Sequence, residues 1–328
     1  MIGRTAPLRV GTRGSALATT QAGHVRDVLA ARLDRPVELV CVRTDGDVLT
    51  GSLASLGGTG VFVAALREAV LDGRCDVAVH SLKDLPTAPA DGLVLVTPPR
   101  EDARDALCAR DGLTLAMLPA GARVGTGSPR RAAQLLALRP DLAIVDVRGN
   151  VDTRLARVLG ESADLDAVVL ACAGLARLGR REAITQLFDP ADLTPAPGQG
   201  ALAVEARAEA LAEETLAAAF GALDDAATHR AVTAERAVLA RLEAGCAAPV
   251  GAHAVVDGGR LRLRAVVASL DGTRRLVDEA EEADEAVPDA PSALRAAEAL
   301  GRRVAEALLE RGACRIAPLG QAGAAHDG

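Results

Sequence analysis

The sequence predicts an α/β protein of several domains, on three observations. Short apolar, β-type runs alternate with helical stretches at the spacing of βαβ units through the first two hundred residues. Glycine- and proline-rich punctuation then breaks the series, and beyond Leu216 the order becomes helix, strands and a last helix. At 328 residues the chain exceeds what one hydrophobic core usually spans, so two or three domains are expected.

Composition narrows the function. Hydrophobic residues make up 49% and charged residues 25%, the profile of a globular domain protein. A net charge of −7 and the lack of basic runs argue against a general nucleic-acid surface. With 1% aromatic residues and no Trp or Tyr, the core must be aliphatic and a flat ligand cannot be gripped by aromatic stacking. Met1 to Val10 holds no signal-like apolar stretch and no window approaches a membrane span, so a cytoplasmic location is expected. Six scattered cysteines (Cys41, Cys75, Cys108, Cys172, Cys246 and Cys314) form no C-x-x-C pair, which leaves neither a disulfide framework nor a metal signature. Five sit in or beside aliphatic runs and read as small core residues.

In chain order, Leu8–Ser15 reads as a strand that breaks into a glycine-flanked turn. A helix follows over Ala16 to Leu33 with Ser15 as N-cap, and Arg13 at the junction can face an anion together with the helix amides. After a strand over Val37–Arg43, the glycine-rich stretch Leu53–Gly60 reads as a mobile lid. No G-K-[ST] follows it, so a nucleotide loop is not indicated. The helix Val61–Leu71 leads to the run Asp76–Pro86. There Val77 and Val79 alternate as a buried strand, and His80-Ser81-Leu82-Lys83-Asp84-Leu85 leaves the core at the strand's carboxyl end, where ligands of open α/β sheets bind. Lys83 is the only lysine, and the other 36 of the 37 basic residues are arginine. A compact ammonium rather than a planar fork is therefore wanted at that point. Gly92–Thr97 is a further strand, and Pro98-Pro99 marks a crossing between domains.

A second series repeats the plan. Ala122–Arg131 reads as a strand, a glycine turn and a helix start with Ser128 as N-cap and Pro129 at the first helical position. Leu142–Val147 leads to a helix ending at Leu159, and Leu165–Ala171 leads to Gly174-Leu175-Ala176-Arg177. Three strand-to-helix junctions thus carry Arg130 with Arg131, Arg148 with Arg154, and Arg177. Parallel strands would open all of them on one rim, where arginine forks suit a multiply negative ligand. Thr194–Gly200 reads as a hinge. A small third α/β unit follows, with a helix over Asp225–Leu242, strands over Gly251–Val256 and Leu261–Val267, and a helix over Ser292–Arg311. Cys246, after Gly245 in a loop closed by Pro249, is expected to be more exposed than the other five. The Gly/Ala-rich end reads as a disordered tail.

The motifs His80–Pro86, Val124–Arg131, Arg148–Leu155, Pro197–Gly200 and Glu243–Cys246 occur in this order, and with them the chain resembles the porphobilinogen deaminase (hydroxymethylbilane synthase) family from about Leu8 to about Cys314. The resemblance implies three domains: 1–98 with 200–218, 99–199, and 219–314, before a tail over 315–328. The first two would resemble the lobes of type II periplasmic binding proteins. It implies an enzyme that joins four porphobilinogen molecules head to tail, releases ammonia at each step and frees hydroxymethylbilane by hydrolysis. The implied cofactor is dipyrromethane, held by a thioether on Cys246. Asp84 matches the family's catalytic aspartate. Lys83, Ser128, Arg130, Arg131 and Arg148 match positions that hold the cofactor, and Arg13, Ser15, Arg154, Arg177 and Gln199 match substrate-binding positions. No metal is implied, and a monomer is. Two departures stand out: Ser55 and Thr59 occupy a loop where many members carry lysines, and Ala247-Ala248 follow the cysteine where bulkier residues are common. The rival expectation is a non-catalytic, two-lobed anion receptor.

Overall fold

A computed structural model describes residues 6–42, 60–245, 247–283 and 290–320. The expected lid segment, with Ser55 and Thr59, and Cys246 lie outside the described residues. The chain opens with β1 (Leu8–Thr12), α1 (Ala16–Ala30), β2 (Val37–Cys41), α2 (Gly60–Leu71), β3 (Val77–Ser81) and β4 (Leu93–Val96). It continues with β5 (Asp105–Ala109), β6 (Arg123–Gly125), α3 (Pro129–Leu138), β7 (Ala143–Val145), α4 (Val151–Leu159), β8 (Ala167–Ala171), α5 (Cys172–Arg177) and β9 (Gln186–Leu187). Then come β10 (Leu202–Arg207), α6 (Glu214–Gly221), α7 (Ala226–Arg241), β11 (Val250–Asp257), β12 (Arg260–Ala268), β13 (Arg275–Ala283) and α8 (Ala290–Glu310).

Two compact units result. The first takes the chain through Glu101 and again from Ala201 to His229; the second takes Asp102 to Gly200 and the chain from Arg230 onward. The first unit is built on a five-stranded sheet of order β2-β1-β3-β10-β4. Strand β1 runs parallel to β2 and β3, whereas β10 runs antiparallel to β3 and β4. Gln21, Ala22, Val25 and Leu29 form the buried stripe of α1, at the spacing one helix face gives, and the last three pack with Leu8, Val10, Val77 and Val79.

The second unit holds two sheets with separate cores. Its five-stranded sheet has the order β7-β6-β8-β5-β9, with β6 parallel to β7 and β8, and β5 antiparallel to β8 and β9. Position for position this is the order of the first sheet. In each, the fourth strand is the one the chain reaches just after passing from the other unit's sequence. Purely parallel sheets were expected; β5 and β10 make both mixed, because neither arrives through a crossover helix. Two sheets of one order agree with the pair of like lobes that the sequence leads one to expect. The third sheet, β11-β12-β13, is an antiparallel meander covered by α8, whose Leu300, Val304 and Leu308 join Leu261, Leu263 and Val267 in one core. Gly272, at φ +72, lets this sheet's turn approach α3 so closely that a Cβ would lie 2.6 Å from the Ala133 carbonyl oxygen. Only glycine tolerates both the conformation and the contact.

Three expectations are corrected. Strand β13 was not foreseen, because its acidic residues look like a solvated loop; Glu279 and Glu281 face Arg260, Arg262 and Arg264 across the ladder, while Leu276 and Ala280 pack on the core. The tail does not begin at 315: Ala313 and Ala317 are buried in the same core, with Ile316 and Leu319 against it. Among the remaining cysteines, Cys41 and Cys314 are exposed, Cys41 because β2 is an edge strand, whereas Cys75, Cys108 and Cys172 are buried.

Candidate active site

In the first unit, the carboxyl end of β3 passes into a single 3-10 turn, Leu82–Asp84. Two leucines anchor the turn: Leu82 and Leu85 are both buried, and the Leu85 amide donates to the Leu82 carbonyl at 3.0 Å. The turn thereby holds Asp84 half-buried and leaves Lys83 exposed. Asp84 lines a cleft of about 550 Å³, open mouth included, together with Arg13, Ser15, Gln21, His80 and Ser81. Ser15 caps α1, accepting from the Ala18 amide at 3.3 Å, as its place before an apolar-periodic run predicts. Gln21 and Ser81 exchange hydrogen bonds at 3.1 and 3.2 Å on the cleft wall.

Beneath His80 lies a carboxylate that sequence reasoning missed. Glu205 of β10 is buried and accepts from Arg67 Nε at 3.0 Å and from Arg67 Nη2 at 2.7 Å, while His80 Nε2 sits 3.3 Å from its Oε2. Burial pushes the Glu205 carboxyl up, but His80 and Arg67 outweigh it and hold the group at about 2. Its contribution to stability is therefore full above the ordinary value of 4.5 and is lost as pH falls toward 2. The stability gap between wild type and Glu205→Gln, read from denaturant midpoints, should narrow over that window. A constant gap would mean the pair contributes nothing through charge. The available signal was an acid in the middle of the apolar strand Leu202-Ala203-Val204-Glu205-Ala206.

In the second unit, the glycine turn after β6 delivers α3, with Ser128 accepting from the Arg131 amide and Pro129 at the first helical position. Gly127 is obligatory here, since a Cβ would lie 2.7 Å from the Val147 carbonyl oxygen. Arg130 and Arg131 were expected on an open rim, but both are buried, 4% and 6% exposed, against Asp105 at the start of β5. Arg130 Nη1 donates to Asp105 Oδ2 at 2.7 Å and to the Thr194 carbonyl at 2.7 Å. Arg131 Nε donates to Asp105 Oδ1 at 2.9 Å, and its Nη1 to the Val169 carbonyl at 3.0 Å. Gln199 donates to Asp105 Oδ1 at 2.9 Å. Burial pushes the Asp105 carboxyl up, yet the two guanidinium groups hold it far below the usual carboxylate range. Burial pushes Arg130 down against the pull of Asp105.

The charges in this cluster do not balance. One carboxylate faces two guanidiniums, and Arg130 Nε is buried with no hydrogen-bond partner among the described residues. Arg154 adds to the excess. Burial lowers its pKa, and so do Arg131 and Arg148, while its Nε donates to the Gly149 carbonyl. Arg148 is exposed and pairs with Asp146 at 3.1 Å; Arg177 donates to the Gly200 carbonyl at 2.7 Å. A surplus of buried and half-buried positive charge suits a ligand with several carboxylates. Arg131→Leu takes one guanidinium from Asp105 and leaves it paired with Arg130 and Gln199, so it should cost roughly 1.5–3 kcal/mol of stability, the worth of a charged hydrogen bond. Denaturant unfolding would show it, and a loss below 1 kcal/mol would contradict the assignment of Asp105 as a buried hub.

Comparison with known proteins adds the following. A family model described as "Porphobilinogen deaminase, dipyromethane cofactor binding domain" matches residues 8–215, and one described as "Porphobilinogen deaminase, C-terminal domain" matches residues 229–310. Curated relatives named porphobilinogen deaminase are 56% identical in Micrococcus luteus, over 94% of this chain and 93% of that protein, and 56% identical in Leifsonia xyli, over 96% of each. The Thermobifida fusca protein of the same name is 55% identical over 95% of this chain and 96% of its own length. Solved structures are matched far more loosely: a YaeC-family lipoprotein from Enterococcus faecalis shares 14% identity over 68% of this chain and 92% of its own, at a TM-score of 0.38.

Proposed function

The chain belongs to the porphobilinogen deaminase family, and from that membership we infer that it is the transferase that joins four porphobilinogen molecules head to tail, releasing ammonia at each addition and then hydroxymethylbilane by hydrolysis. The rival reading as a non-catalytic anion receptor does not describe this family. The observation that carries the chemistry is the cleft in which one carboxylate, Asp84, stands with Arg13 and Ser15.

Each substrate ring brings an acetate, a propionate and an aminomethyl group. In our assignment Arg13 and the Ser15 end of α1 receive an acid group, which orients the ring. Asp84 then faces the ring nitrogen. As the carbon–nitrogen bond to the leaving amine breaks, positive charge spreads into the pyrrole, and the fixed carboxylate stabilises it where it develops. The amine of the aminomethyl group departs as ammonia with the electron pair of the broken bond, and Asp84, still ionised, then takes up the proton that the attacking pyrrole α-carbon sheds. Dipyrromethane, when bound, supplies the free pyrrole α-carbon to which the first new unit is joined. We assign its thioether to Cys246, whose thiolate is the nucleophile suited to a pyrrole methylene.

The second unit fits such a polycarboxylate group, because its cation surplus needs an anion. We assign Ser128, Arg130, Arg131 and Arg148 to hold the cofactor's acids, with Lys83 contributing its ammonium, and Arg154, Arg177 and Gln199 to serve the substrate side. Domain boundaries are proposed at 1–98 with 200–218, 99–199, and 219–314, the last extended by the packed residues up to Leu319. Among the described residues no helix is long and apolar enough to cross a membrane. A cytoplasmic monomer is proposed from the resemblance, to be checked by light scattering. Purified protein given porphobilinogen should release four molecules of ammonia for each hydroxymethylbilane formed. Binding of porphobilinogen with no ammonia release would overturn the enzymatic reading.

A further inference from the structure

Glu235, on α7, is completely buried and uses its two carboxylate oxygens on backbone N–H groups from two separate segments. The Gly198 amide donates to Oε2 at 2.6 Å, and the Ala254 amide donates to Oε1 at 2.7 Å. The first segment is the Pro197–Gly200 turn, which needs glycine because Gly198 and Gly200 sit at φ 73 and 87. The second is β11, an outer strand of the C-terminal sheet. The turn carries Gln199, whose Nε2 donates to the Ala103 carbonyl at 2.7 Å and to Asp105 Oδ1 at 2.9 Å, while Arg131 Nη2 donates to its Oε1 at 3.4 Å. An unbroken line of short contacts therefore runs from Glu235 through the turn to Asp105 and the arginine pair.

We propose that Glu235 is a positioning residue for Arg130 and Arg131. Its carboxylate fixes the turn against β11, the turn fixes Gln199, and Gln199 fixes Asp105 between the two guanidiniums. A carboxylate is the group this needs, since both partners only donate and both of its oxygens only accept. Glutamine would set an NH₂ group against one backbone N–H and free that side of the turn. Through this contact the C-terminal sheet becomes part of the framework that aims the anion-binding forks. The inference rests on the assignment of Arg130 and Arg131 to cofactor carboxylates.

The test compares Glu235→Gln, Glu235→Asp, Gln199→Leu, Arg131→Leu and the double variant Glu235→Gln/Gln199→Leu. Readouts are the fraction of purified chain carrying the dipyrromethane mass, KM and kcat of the loaded fraction, and thermal unfolding. Glu235→Gln and Gln199→Leu should each raise KM about tenfold, as the loss of one charged hydrogen bond does, with loading reduced and kcat little changed. The double variant should be no worse than either single one, because both interrupt the same line. Glu235→Asp, which keeps the charge, should recover part of the loss. Effects that multiply, or a lowered melting temperature with normal loading and KM, would overturn the positioning role. Should Arg131→Leu load cofactor and bind substrate normally, the arginine assignment itself fails; should it be defective while Glu235→Gln is normal, only the role of Glu235 fails.

Discussion

Asp84→Asn should lower turnover by about 10²–10³-fold, the cost of removing one preorganised charge-stabilising group, and leave the fold intact. The amide keeps the size and much of the hydrogen bonding of the carboxylate but not its charge. What it loses is the interaction that grows as the pyrrole becomes positive, so the effect belongs to kcat rather than KM. The 3-10 turn makes the comparison clean. Leu82 and Leu85 provide its anchorage to the core, and the half-buried Asp84 side chain contributes to neither. Asp84→Glu keeps the charge but displaces it by about one bond length, so it should retain more activity than Asn. Single-turnover ring addition measures both variants, with circular dichroism as the folding control. Equal activity for Asn and Glu would move the role to a hydrogen bond that an amide also makes.

The second large effect is expected at Cys246. Purified protein should be heavier than its sequence by one dipyrromethane, and Cys246→Ser should lack that mass and almost all activity. Serine keeps the volume, but its hydroxyl ionises far less readily than a thiol near neutral pH, so it is a poor nucleophile for the pyrrole methylene. An unmodified mass in a fully active preparation would remove Cys246 from the mechanism. The same measurement on Arg130→Leu separates attachment from retention: loss of mass there, with the cysteine intact, would show that the cationic cluster assists loading.

Much of the scaffold was legible because its signals are local. Ser15 and Ser128 were readable as caps from the residues that follow them, and the strand-to-helix punctuation located α1, α3 and α4 within a few residues. Strands β5 and β13 and helix α6 were not foreseen. Strand β5 opens on a charged residue, Asp105, that is buried only because two arginines from α3 reach it, and β13 is acidic on its open face. The site divides the same way. Arg13, Ser15 and Asp84 were singled out, and the structure lines one cleft with them. The acids that organise the site were not. Asp105 finds Arg130 at 25 residues' separation and Glu205 finds Arg67 at 138, and pattern within a window cannot show such pairs.

The placement of β10 has a consequence for how the molecule is made. It lies inside the first sheet, between β3 and β4, and among the described residues β4 has no other neighbour in that sheet. A ribosome that has released only the first hundred residues has therefore exposed a sheet lacking an interior strand, with the edge of β3 unpaired. That edge stays open until Leu202–Arg207 emerges, about a hundred residues later, or roughly 5–20 seconds at ordinary elongation rates. Over that interval the nascent chain is a natural client for chaperones that shield strand edges. Stalled chains ending before residue 202 should accordingly be more protease-sensitive across β3 and β4 than chains ending after 207.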